Sequence, residues 1–416
     1  MRRSSVVVGA LLLPLFLTTV APAATLTGAS ATYVQSRETS DNEKILGGRE
    51  YLDFAVQNIG SKTISFHAGG WLRYDFQEEE FGKKSNSDLQ YSYLSFKSGT
   101  GNTVVNLGRV MVFEGVAAER VDGLYAGTDL MGGFGVSGFG GSPVETGINS
   151  PGNSVIYGAR LSHRYSGIYR IGVSVLQEEK DSADYRKEGG IDLWVHPYHK
   201  VDITGTSTYN DITKGWMEHS YVLSLGPFKK LRLDTQASMI NYDDYFFRVT
   251  TSAFSLQPGI IQPGEKVRIL GETASYLVTD RTLIAADYKI FNYDIAGKAN
   301  YYGGKIGYSV SRAGGAGISY HRMDGETDAL RYDEYRAYGY RKFGKLDVVV
   351  DAIHISYDVA IHDVKDAYSA SVAAQFDLAK AWKLGADVEY SRNPDFDRDV
   401  RTFLKLLYSF GEKGGA

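Results

Sequence analysis

From residue 24 onward the chain alternates apolar and polar residues over segments of about ten, with Gly, Pro, Asn and Asp at the joints. In 381–391, Trp382, Leu384, Ala386, Val388 and Tyr390 fall on one face of an extended chain and Lys383, Asp387 and Glu389 on the other. Side chains alternate with period two along a strand, so this segment has an apolar face bracketed by aromatics and a charged back. A soluble sandwich would turn the apolar face inward, whereas a membrane barrel would turn it to lipid; the aromatic brackets favour the barrel. The pattern recurs at 64–76, 169–175, 201–209, 230–239 and 368–376. It appears once more at the C-terminus, where Thr402, Leu404, Leu406, Tyr408 and Phe410 share a face. The predicted fold is all-β: a transmembrane, antiparallel, up-and-down barrel over 24–410, of about 22 strands within a range of roughly 20 to 24.

Short turns are expected at 60–62, 165–167, 197–199, 226–229, 279–280, 343–344 and 378–381. Longer polar connections are expected at 77–87, 111–120, 144–153, 178–184, 244–264, 325–330 and 393–399. Short periplasmic turns alternating with long external loops, over an even strand number, put both termini on the periplasmic side. Three segments, 89–96, 331–341 and 346–357, alternate poorly and could hide bulges or a misplaced boundary. No compositional shift marks a second domain, and no plug precedes the first strand, expected near Thr27.

The ends and the composition fit this picture. Arg2 and Arg3 precede an apolar run over 6–20 and a small-residue exit at Ala21-Pro22-Ala23, so 1–23 reads as a secretory signal outside the fold. Residues 411–416 form a short periplasmic tail. No later stretch approaches the roughly 20 apolar residues of a spanning helix, so insertion must use strands. The 30 tyrosines suit membrane interfaces, where amphipathic rings belong. With no cysteine, a disulfide framework, a thiolate metal site and a covalently attached c-type haem are excluded; no cofactor of its own is expected, and any haem would belong to a partner. A net charge of -4 with no concentrated basic run excludes nucleic acid as a partner.

Candidate chemistry is sparse. Residues 133–138 spell G-x-G-x-x-G, but nothing helical follows, so the glycines read as space-clearing within a barrel wall. His196 and His199 flank a turn, too few for a metal site. Asp395, Asp397 and Asp399 on an expected external loop could hold a divalent cation or remain solvated, and so could Glu78, Glu79 and Glu80. No nucleophile-base constellation stands out among the 49 acids, so no enzymatic activity is expected.

The alternation assigns Arg73, Asp75, Arg160, Arg170, Asp202, Lys230, Arg232, Asp234, Arg268, Glu272, Asp287, Lys289, Lys383, Asp387 and Glu389 to the lumen. On the lipid face a charge would cost about 2 to 4 kcal/mol near the midplane. Inside, these groups either pair across strands and hydrate the wall or form a selective surface for a solute or a partner. Both signs are interspersed, which argues against strong ion selectivity.

Two resemblances add to this reading. Residues 405–410 resemble the C-terminal recognition signal of outer-membrane barrels, although a tail follows here. Leu107-Gly108-Arg109-Val110, residues 114–122, Gly123-Leu124-Tyr125 and residues 132–145 (GGFGVSGFGGSPVE) together resemble the porin-like barrels of metal-reducing bacteria. The Leu-Gly-Arg element also occurs in ordinary porins, where it ends the strand before the constricting loop. The resemblance implies an outer-membrane barrel that sheaths a periplasmic multihaem c-type cytochrome and passes electrons to a surface cytochrome, all redox groups being on the partners. The competing reading is a passive diffusion porin for small hydrophilic solutes, and a structural or adhesion barrel stands behind it. A barrel of about 22 strands with no plug leaves a wide bore, to be filled by a partner, narrowed by residues 111–120 or 244–264 folding inward, or left open.

Overall fold

The computed structural model describes residues 24–38, 44–77, 82–144, 153–245, 264–310, 313–394 and 396–411; the expected signal segment and residues 412–416 lie outside these. The first strands are β1 (Thr25–Glu38), β2 (Lys44–Gln57), β3 (Ile64–Asp75), β4 (Ser85–Lys97), β5 (Thr103–Glu114), β6 (Ala117–Asp129), β7 (Phe134–Pro143) and β8 (Ser154–Tyr165). Next come β9 (Tyr169–Lys180), β10 (Ala183–Tyr198), β11 (Val201–Asn210), β12 (Gly215–Phe228), β13 (Leu231–Asn241), β14 (Lys266–Leu277) and β15 (Thr282–Tyr293). The last are β16 (Gly297–Ser309), β17 (Gly314–Gly325), β18 (Arg331–Phe343), β19 (Leu346–Ile361), β20 (Val364–Ala379), β21 (Trp382–Asn393) and β22 (Phe396–Phe410). A single helical turn, α1 (Tyr242–Tyr245), follows β13.

Each strand pairs antiparallel with its chain neighbours, and β22 returns to β1, from Gly28 opposite Phe410 to Glu38 opposite Val400. The sheet therefore closes without an edge, the condition for β-structure in lipid, where unpaired backbone groups find no water. Along the seam, Asp399 of β22, 1% exposed, accepts from Arg37 of β1 at 2.9 Å and from Arg401 at 2.7 Å. Among the described residues no plug domain occupies the bore.

Face assignment follows from exposure and register. On β8 and β9, Val155, Tyr157, Leu161, Ile171, Val173 and Val175 are exposed apolar side chains and form part of the lipid belt. The residues between them, among them Ile156, Arg160, Gly172, Ser174 and Leu176, face the lumen. At the end holding both termini, Trp382 stacks on Tyr408 at 4.3 Å, and Tyr408 meets Phe410 at 5.8 Å. At the far end Tyr74 and Phe76 meet at 5.5 Å. Aromatics at both rims are the expected interface girdles.

The connections depart from a strict short-and-long alternation. Two of the expected long loops are two-residue turns, β5 to β6 through Gly115 and Val116 and β9 to β10 through Asp181 and Ser182, and strand takes up most of a third, since β21 runs to Asn393 and β22 begins at Phe396. A hydrogen-bond ladder can continue beyond the lipid with polar residues on both faces, so polar sequence there did not mark loops. The expected bulge in 89–96 is present, since Gly69 opposes Tyr91 while Gly70 opposes Leu89. Residues 331–341 pair without a shift on both sides, and in β19 the register breaks only after Ser356.

Residues 133–138 form a turn and the start of β7, with no helix after them. Asp399 lies in β22 rather than on a loop, and its carboxylate is taken by two arginines. Asp395, the side chain of Asp397, and Glu78 to Glu80 lie outside what is described. Among the described residues no group of His, Asp or Glu has the arrangement to hold a metal.

Candidate functional site

The distinctive feature of the bore is an arm made by the far ends of β5 and β6. β4 pairs with β5 only from Ser92 opposite Arg109 to Lys97 opposite Val104, whereas β5 and β6 stay paired to the tip, Glu114 opposite Ala117. On the other side, β6 pairs with β7 only from Val121 onward. Residues 110–120 thus leave the wall together as a paired hairpin.

Where the arm departs, side chains replace the lost ladder. Arg109 makes a two-pronged contact with Asp122 at 2.7 and 2.8 Å and donates to the Leu89 carbonyl at 3.0 Å, beside the bulge of β4. Arg120 reaches Asp88 at 2.6 Å. Charge-assisted bidentate pairs of this kind are short and directional, so they fix the angle of departure.

The arm lies on the lumen face of β7 to β10. Val110, Val112, Ala117 and Val121 pack with Phe139, Ile156 and Leu176 in a buried apolar cluster. The tip turns at Gly115, whose φ of +59° suits glycine. The Val116 amide donates to Ser174 Oγ at 3.0 Å. A Cβ on Gly115 would overlap Ser174, and one on Gly190 would overlap Val116, so small residues in the wall form the seat. Glu119 reaches Arg186 of β10 at 2.5 Å, and Glu114 accepts from Tyr125 at 2.6 Å and faces Arg160 at 3.6 Å. The inward folding of 111–120, one of the ways left open for narrowing the bore, is therefore present, as a hairpin rather than a loop. Most of 244–264 lies outside the described residues.

The sequence-assigned lumen charges divide into three groups. Arg73, Asp75, Arg160, Arg170, Asp202, Arg232, Asp234, Asp287, Lys289, Lys383, Asp387 and Glu389 lie on the inward face. Most are paired: Arg73 with Asp75 at 3.3 Å, Arg160 with Asp192 at 2.6 Å, Arg232 with Asp234 at 2.9 Å, and Asp287 with His321 at 3.2 Å. Asp202 accepts from Trp194 Nε1 at 3.3 Å, and Glu389 accepts from Ser369 at 3.1 Å. The wall is thus a mixed-charge surface built from local pairs.

Lys230 sits in the turn after β12, donating to the Val278 carbonyl at 3.2 Å. Arg268 and Glu272 are corrections: they share the face of Leu270 and Tyr276, both exposed to lipid. Register fixes this, since Thr235 lies opposite Glu272 and beside Leu223 on the same outward face. Glu272 accepts from Thr235 at 2.5 Å, and Arg268 reaches Asp294 at 3.0 Å, so both outward charges are satisfied. His196 lies inside, 3.3 Å from Asp202 and stacked with Trp194, whereas His199 lies exposed in the next turn.

Sequence reasoning missed Asp192, Trp194 and Glu114, which build the wall around Arg160. The first two alternate with Ile191, Leu193 and Val195, so period two alone could have found them.

No protein-family model matches the chain, and no curated protein sequence does. Among solved structures, a variant of the ferric enterobactin receptor PfeA from Pseudomonas aeruginosa aligns with a TM-score of 0.58 at 9% identity, covering 92% of this chain and 80% of that one. The siderophore receptor PirA from Acinetobacter baumannii gives 0.56 at 10% identity, with 93% and 80% covered. The P pilus usher PapC translocation pore gives 0.53 at 8% identity, with 92% and 99% covered. At such identities the likeness is one of fold. Together with the apolar belt and aromatic rims, it shows a closed transmembrane β-barrel of 22 strands with the fold of outer-membrane receptors and pores.

Proposed function

We propose that the barrel is a passive diffusion channel for small hydrophilic solutes, narrowed from one side by the β5–β6 arm. The observation that carries this reading is the arm itself, seated on the lumen wall through Val110, Val112 and the Val116 to Ser174 hydrogen bond. A barrel of this strand number would otherwise enclose a wide hole, and an inward element gives a channel its size limit. The mixed-charge wall keeps the passage hydrated without strong preference for either ion sign. In this reading the first 23 residues are removed on export, both termini face the periplasm, and no cofactor is needed. A cytochrome sheath calls for a wide plugless bore, and an arm seated inside the wall takes up space that such a partner would fill.

The test is reconstitution of the purified barrel in planar bilayers and in liposomes. Steady single-channel current and sugar-driven liposome swelling are expected, with larger conductance when 111–119 is replaced by a short Gly-Ser link. A folded barrel that passes neither ions nor sugars would refute the channel.

A further inference from the structure

Just beside the tip of the arm, toward the end holding both termini, the bore wall contains a recess of about 340 Å³ lined by Phe113, Glu114, Arg160, Arg170, Asp192 and Trp194 among others. Phe113 is 70% exposed although it stands on an arm inside the barrel. An exposed aromatic ring offers an apolar face on which a second ring can stack in an offset or edge-on arrangement. In the same lining, the Trp194 ring is held by its N–H bond to Asp202 and by stacking on His196 with planes 3° apart. Arg160 is already held by Asp192 and faces Glu114. Arg170, exposed on the same face, has no ion pair or hydrogen bond among the described residues.

We propose that this recess is a binding subsite for an aromatic monocarboxylate, its ring lying between Phe113 and Trp194 and its carboxylate on the Arg170 guanidinium. The inference rests on the channel reading and names a class of solute for it. The size fits, because a cavity of about 150 Å³ accommodates benzene, and the remainder leaves room for a carboxylate and its water. The charge fits as well. Guanidinium pairs bidentately with carboxylate, while Glu114 and Asp192 on the rim disfavour a dianion such as a phosphate monoester. A neutral aromatic would leave Arg170 unused, and an aliphatic acid would leave the two rings unused.

The test applies benzoate, acetate, benzyl alcohol and phenyl phosphate to the full barrel in planar bilayers, with heat-modifiable gel mobility as the check of folding. Benzoate is expected to interrupt the current in a concentration-dependent way, the other three requiring about tenfold more. Arg170→Gln is expected to weaken the benzoate effect about tenfold and Arg170→Lys to retain most of it, while Phe113→Ala weakens it similarly to Arg170→Gln. Equal block by benzoate and acetate, or a benzoate effect unchanged in folded Arg170→Gln, would overturn the subsite while leaving the channel standing. If the barrel passes no current, the channel reading fails, and the subsite is decided by calorimetric titration of the detergent-solubilised barrel with benzoate. Binding lost in Arg170→Gln then supports it, and no binding to the unaltered chain overturns it.

Discussion

Replacing Ile156 and Leu176 together by alanine should release the arm from the wall while leaving the barrel intact. Both side chains face the lumen, are at most 1% exposed, and are covered by Val110, Val112 and their neighbours on the arm. Burying a side chain of this size is worth about 1.5–3 kcal/mol, so the wall's half of the contact amounts to about 3 kcal/mol even at the low end. The two residues are near neighbours, so their effects need not add fully. A loss of about 3 kcal/mol shifts the ratio of seated to released arm by roughly a hundredfold, since each 1.4 kcal/mol is tenfold. The barrel wall itself loses no ladder hydrogen bond, because neither backbone is changed.

The chain has no cysteine, so a pair placed at Val116 and Ser174 would be its only thiols. The Val116 amide lies 3.0 Å from Ser174 Oγ, within the span of a short thiol-reactive linker. Cross-linking should be near complete in the otherwise unaltered chain and fall sharply with Ile156→Ala and Leu176→Ala present. Single-channel conductance should rise in parallel and become noisier. If the folded double variant cross-links as well as the parent and conducts identically, the arm is held by something other than this apolar contact and the reasoning fails.

Three further outcomes follow from contacts elsewhere in the barrel. Asp399→Asn leaves Arg37 and Arg401 without their shared carboxylate at the closing seam and should cost about 2 kcal/mol in urea unfolding from lipid. That is less than the 3–5 kcal/mol of a fully buried pair, because both arginines keep some water. Glu272→Leu removes an acid from the lipid face and should raise stability in the same assay by about 1 kcal/mol; a loss would show that the Thr235 hydrogen bond outweighs the lipid term. Gly172→Ala places a Cβ against the Arg160 guanidinium and Asp192, and should cost about 1–3 kcal/mol, with an altered current trace from the neighbouring recess. An unchanged trace and stability would mean that Arg160 is free to move aside.

The strand number was legible because period-two alternation survives in segment after segment, and closure needs only that each segment pair with the next. Lumen assignment was less legible where apolar residues occupy both faces. In β14, Val267 and Ile269 compete with Leu270 and Ala274, and only register with β13 and β15 shows that Arg268 and Glu272 point outward. The arm left a trace that alternation alone could not interpret. Val110, Met111, Val112 and Phe113 are apolar on both faces, which a wall strand with one face to water does not require. The Val110 and Val112 side is buried against a second surface, here the inner wall of the same barrel, while Met111 and Phe113 stay exposed to the passage. The turn at Asp181 and Ser182 was obscured for the opposite reason, since strands standing in water on both sides carry no apolar stripe.

That the intruding element is a two-stranded ladder, and not an irregular loop, makes its reach adjustable in fixed steps. Each residue added to both strands advances the tip by about 3.4 Å and exchanges the side chains that face the wall for those that face the passage. Adding two to each strand advances it by about 7 Å and restores the original facing. Insertions at the base of the arm in even steps would therefore move its tip while keeping its apolar side on the wall, and odd steps would turn that side to the passage and unseat the arm. Evolution or an engineer can resize such a pore by counting residues in a single hairpin.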